Sequence, residues 1–156
     1  MILIFQIAIL IMSIVIHEVA HGYMASYLGD ETARYQGRLT LNPLVHLDPV
    51  GSFLIPLISI TLGGFIIGWA RPVPYNPYNL RPSRWSEALV AGAGPASNLI
   101  LALIFYLLPN FINLGTGFLV LSSFVVSINI VLAVFNLIPI PPLDGSKILA
   151  AFFKRT

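Results

Sequence analysis

Between Ala88 and Leu143 the chain runs for 56 residues without one Asp, Glu, Lys or Arg. A stretch of that length can cross a bilayer twice, at about 20 residues per helix. Met1 to Ile16 and Pro49 to Ala70 are also free of charge. Composition agrees: of 156 residues, 57% are hydrophobic and only 9% charged, against roughly 25% charged in a soluble domain. Six acids and eight bases cannot coat a globule of this size. The chain therefore reads as an integral membrane protein and, at this length, as a single domain, 1–156. A net charge of +2 with no basic stripe excludes nucleic-acid binding as a primary role. The absence of cysteine excludes a disulfide framework, an iron–sulfur cluster and a thiolate zinc site. Any metal must be held by His, Asp or Glu.

Four hydrophobic segments can be traced. Segment A spans about Ile2–Tyr27; its opening lacks the basic n-region and small-residue cleavage site of a signal peptide, so it reads as a helix that stays. The polar stretch Gly29–Pro49 follows, and its Thr, Arg, Tyr and Leu residues around Gly37 predict a short β-hairpin. Segment B, Gly51–Ala70, is interrupted by Pro56 and by Gly63-Gly64, and the Pro/Asn-rich stretch Arg71–Trp85 cannot be regular helix. Segment C is Glu87–Leu108. Segment D runs from about Thr116 to Ile138 and ends in NLIPIPPLDG, with a short tail after it. The expected fold is an all-α polytopic membrane protein: three spanning helices, one re-entrant or fourth hydrophobic segment, and a small β-hairpin after the first helix.

The chemistry begins at HEVAH, residues 17–21. On a helix, His17 and His21 project from nearly the same face one turn apart, so the two imidazoles can bind one zinc ion. Glu18 flanks that position and can act on water as a general base. Zinc would lower the pKa of that water toward about 7 and polarise a scissile carbonyl. The pattern is short and arises by chance on solvated helices. Here, however, an ionisable group at bilayer depth costs about 2.5–3.5 kcal/mol on insertion scales. Three such groups in one hydrophobic helix need compensation, which shared coordination of a cation supplies. The alternative is that the cluster lies just beyond the membrane, where it costs little.

A catalytic zinc usually keeps three protein ligands and one open position. Asp30 and Glu31 lie in the polar stretch, and Glu87 opens segment C, where the helix dipole accounts for an acid. Asp48 precedes Pro49 and can cap segment B, and a loop histidine such as His46 is more often structural. Asp144 is the first charge after the long uncharged run, and Pro139, Pro141 and Pro142 break the helix before it. Backbone freed by proline at membrane depth must line a cavity or be buried in protein, and Gly145 permits a sharp turn. Alone, this is an ordinary turn at the lipid surface. Together with HEVAH, it makes Asp144 the strongest third-ligand candidate.

HEVAH in one hydrophobic segment and FNLIPIPPLDG closing a later one resemble the site-2 protease family of intramembrane zinc metalloproteases. LTLNPLVHLDPVGS, GWARPVPYNP and AGAGPASN are similar to its compact prokaryotic branch, so the likeness covers nearly the whole chain. The resemblance implies one zinc ion on His17, His21 and Asp144. It implies Glu18 as catalytic acid/base and Asn136 as a substrate-binding residue. Asn98 matches the Asn of the family's small-residue helix, with substrate binding or helix packing both open to it. Family members often continue into a further hydrophobic segment beyond the position of Thr156.

If the three ligands share an ion, they lie at one depth, and segments A and D run in the same direction with one net crossing between them. Segment C is the more regular candidate for that crossing, so segment B is expected to dip in and return. All eight basic residues then fall on one face, as a positive-inside orientation requires. Sixteen residues at a rise of 1.5 Å put His17 about 24 Å from the chain start, near the cytoplasmic face.

The expected activity is intramembrane zinc-dependent hydrolysis of peptide bonds in or near a transmembrane segment of a protein substrate, with lipid as the surrounding partner. The edge of the hairpin around Arg38–Leu41 would receive the unwound substrate as an added strand. Two alternatives remain: a membrane metal-binding or transport protein, and an inactive relative that binds transmembrane helices. Transporters tend to be built from repeated halves, and no repeat is present; every expected catalytic position is filled, which weighs against the inactive relative. The sequence leaves the oligomeric state open.

Overall fold

In the computed structural model, residues 2–55, 58, 71–112 and 115–153 are described. They form helices and turns, with no strand among them. The long elements are α1 (Ile2–Tyr27), α3 (Ser86–Leu107) and α4 (Gly115–Asn136), and a short α5 (Asp144–Phe153) follows. A single turn, α2 (Thr32–Tyr35), lies between α1 and α3. Three helices, Ile4–Tyr27, Ser86–Asn110 and Gly115–Asn136, are long and apolar enough to cross a membrane.

The predicted β-hairpin is replaced by α2, and the reason lies in two glycines. Gly29 closes α1 with φ +109, its N–H donating to Ser26 and the Asp30 N–H to Ala25. Gly37 closes α2 in the same way with φ +64, its N–H donating to Arg34 and the Arg38 N–H to Ala33. Both are left-handed glycine caps with the paired reverse hydrogen bonds of a Schellman motif. At the start of α2, the Asp30 carboxylate accepts the Thr32 N–H and hydroxyl, so a helical turn out-competes the strand pattern. The strand edge expected around Arg38–Leu41 is therefore absent.

Contacts between the helices fix their directions. His17 meets Asn98 while His21 meets Val90, so α1 and α3 are antiparallel. Phe5 and Ile9 share a groove with Gly117–Phe124, and Ser13 meets Asn129, so α1 and α4 are parallel, as the sequence argument requires. The polar connections gather at one end, where Leu28 C=O accepts the Arg81 N–H and His46 C=O accepts the Arg71 N–H. The flanks of segment B are thus joined at that end. The expected re-entrant course of segment B falls on residues 56–57 and 59–70, outside the described residues. Asp48 does cap its start, accepting the Val50 and Gly51 N–H groups at the turn Pro49–Leu54.

Candidate metal centre

His17 and His21 lie one turn apart on α1, and Asp144 opens α5 directly after the proline-broken end of α4. Their ligand atoms converge. His17 Nε2 is 3.0 Å from His21 Nε2 and 3.1 Å from Asp144 Oδ2, and His21 Nε2 is 3.2 Å from the same oxygen. All three side chains are buried. Tetrahedral zinc with bonds of about 2.0–2.1 Å spaces its donors about 3.3 Å apart, so a small expansion of this triangle would admit the ion.

The protonation pattern points the same way. His21 Nδ1–H donates to the Val90 carbonyl at 2.7 Å, an acceptor that cannot donate in return. His17 Nδ1–H donates to Asn98 Oδ1 at 2.6 Å. The orientation of that amide is itself fixed, since Asn98 Nδ2 donates to Asn129 Oδ1, and Asn129 Nδ2 donates to Ser13 Oγ and to the Val125 carbonyl. With both Nδ1 atoms protonated, both neutral rings turn bare Nε2 lone pairs toward a carboxylate oxygen. Three acceptors facing one another at 3.0–3.2 Å call for a shared cation.

Glycines supply the space. A Cβ at Gly94 would lie 2.6 Å from His17 Cε1 and overlap the His21 ring as well. Gly145, which the sequence suggested for its turning freedom, sits inside α5; a Cβ there would strike the Leu137 and Ile138 carbonyls. Its role is close approach of α5 to the end of α4.

A cleft of about 380 Å³ opens onto the centre, lined in part by Glu18, Val73, Tyr75, Asn136 and Lys147. Glu18 Oε2 accepts the Val73 N–H at 2.9 Å. Asn136 donates to the Leu132 carbonyl at 3.0 Å and borders the cleft, where it can meet a ligand. Asn98 is fully buried behind His17 and takes no part in the lining. His46 stands outside the cluster, its Nε2 bonded to the Thr40 carbonyl. Asn129, Ser13 and Gly94 were missed from sequence. Their signal was available: lone polar residues at bilayer depth need a partner, and Ser13 lies four residues before His17 as Gly94 lies four before Asn98.

A helical bundle apolar enough to cross the membrane, with a buried His-His-Asp triangle and a Glu beside it, defines a membrane protein built around a metalloenzyme-type centre. The profile of Peptidase family M50 matches residues 5–119 and 113–156. "Putative zinc metalloprotease YwhC" of Bacillus subtilis is 47% identical over 149 residues, covering 90% of this chain and 65% of the relative. "Putative zinc metalloprotease Rip2" of Mycolicibacterium smegmatis is 34% identical over 141 residues, 86% of this chain and 52% of the relative. No solved structure matches. The chain belongs to peptidase family M50, the site-2 protease family, and spans between half and two thirds of the length of these curated relatives.

Proposed function

We propose that the protein is an intramembrane zinc metalloendopeptidase that cuts peptide bonds in or near transmembrane segments of other proteins. The observation that carries this reading is the meeting of two bare imidazole nitrogens and a carboxylate oxygen around one point, reached by a cleft that Glu18 borders. His17, His21 and Asp144 hold the ion. When bound, zinc supplies Lewis acidity toward a carbonyl and a water. Glu18 takes the proton from the attacking water and passes it to the leaving amine. Asn136 binds the substrate backbone at the cleft. Asn98 orients His17 from behind, a role its burial favours over substrate contact.

The substrate is a membrane-spanning helix that unwinds locally, since helical peptide bonds are already hydrogen-bonded. The described basic residues Arg38, Arg71 and Arg81 gather at the end that carries the centre, which by the positive-inside rule is the cytoplasmic end. The test pairs metal analysis with cleavage of a model transmembrane substrate in detergent. Asp144→Ala should lose zinc and activity together. Glu18→Gln should keep zinc and lose activity by about 10²–10⁴-fold. Full metal content in Asp144→Ala, or undiminished cleavage by Glu18→Gln, would refute the assignment.

A further inference from the structure

The proposed chemistry uses Glu18 but does not explain what holds it. Its only hydrogen-bond partner among the described residues is the N–H of Val73, at 2.9 Å, in a strap of chain, residues 71–75, whose residues 72–75 line the cleft. The strap contains Pro72 and Pro74, which have no N–H, so Val73 carries the one backbone donor between them. This segment has no helix to fix it. Something else must set the position of that N–H.

Arg38 does so by its contacts. Its guanidinium is buried and reaches three backbone carbonyls: Nη1 donates to Val45 at 2.5 Å, and Nη2 donates to Arg71 at 2.9 Å and Pro72 at 3.3 Å. The Arg71 N–H closes the loop by donating to His46 C=O at 2.8 Å. One planar, permanently charged fork thus gathers the polar loop and the strap. From below, the strap rests on α1. The Val73 side chain is buried over Gly22, one turn after Glu18, and a Cβ at Gly22 would overlap both Val73 and Leu39. Arg38 pins the two residues before Val73, and Gly22 sets its height above the helix.

Resting on the peptidase reading, we infer that Arg38 is a positioning residue for Glu18, acting through the strap and the Val73 N–H. It touches neither the ion's ligands nor the open cleft. Its loss lets the strap lift, frees Val73 N–H, and leaves the Glu18 carboxylate without the donor that fixes its rotamer. Displacing a catalytic group by about 1 Å costs about 100-fold in rate. Binding of metal is untouched, because all three ligand side chains are held by other elements. A buried cation bound only to carbonyls also makes the site intolerant of Gln or Ala, whereas Lys keeps the charge with a narrower reach.

The test uses the purified full chain in detergent, as wild type, Arg38→Ala and Arg38→Lys. Amide exchange is read by mass spectrometry on a peptide covering 71–75, where the prolines leave Val73 almost isolated. Expected results are fast exchange at Val73 in Arg38→Ala, zinc content equal to wild type, kcat lowered about 10–100-fold and KM within about threefold. Arg38→Lys should recover part of both exchange protection and kcat. Unchanged Val73 exchange in Arg38→Ala overturns the inference, and so does loss of zinc along with the rate in both variants. A wild type that cuts no membrane substrate would sink the peptidase reading while leaving the exchange measurement to decide the strap.

Discussion

The two halves of α1 obey different rules. Its first half faces outward with large apolar side chains: Ile4 is 70% exposed and Phe5 56%. Its second half packs inward, with Val15 at 2%, Ala25 at 0%, and Ser13, His17 and His21 buried among them. In the first half lipid is the solvent, and any apolar residue of fitting size satisfies it. In the second half the buried polar residues and Glu18 are each constrained by a named partner: Ser13 by Asn129, His17 by Asn98, His21 by Val90, Glu18 by Val73. Hydrophobicity places the helix in the membrane; hydrogen bonds give it one rotation and one depth.

The sharpest way to break that contrast is to crowd the second half. Gly94→Val should displace both imidazoles, abolish zinc binding and lower stability by about 1–3 kcal/mol or more, read by metal analysis and thermal unfolding. Next comes Asn129→Leu, nearly isosteric but unable to hold the Asn98 amide. It should weaken zinc affinity about 10–100-fold while Glu18 stays in place; competition with a metal-sensitive dye measures it. An unchanged affinity would mean that the His17 tautomer needs no support from α4.

A third prediction concerns the turn beyond α1. Burial would raise the pKa of Asp30, but hydrogen bonds from Thr32, Asn79 and Asn76 overcome it and hold the carboxyl below its usual 3.8. A lowered folded-state pKa stabilises the fold fully above pH 3.8 and loses that contribution as pH falls through the folded value. Asp30→Asn should cost about 1–3 kcal/mol at neutral pH and flatten the decline below pH 4, followed by thermal melting across pH. The smallest effect belongs to the first half of α1. Phe5→Leu should change stability by under about 1.5 kcal/mol and leave zinc affinity untouched.

Sequence disclosed the apolar helices and the HEVAH–Asp144 pairing because both rest on strong local signals: long uncharged runs, and costly ionisable groups inside or beside them. The Thr, Arg, Tyr and Leu residues around Gly37 predict a hairpin where Thr32–Tyr35 is helical, because YQGR repeats the YLGD cap that ends α1. Sequence also left Asn129 without a role and placed Arg38 on a hairpin edge that does not form. Their meaning depends on partners 31 and 33 residues away, at Asn98 and Arg71, and no periodicity along one helix encodes such pairs.

The donor set is divided between two elements that lie 127 residues apart at their closest bond, His17 to Asp144, with the tautomer lock on two more. A nascent chain that has inserted only its first helix therefore offers an ion two imidazoles and no third arm. The three-donor centre proposed above is complete only once α5 has docked against α1, so it would form after the helices have inserted.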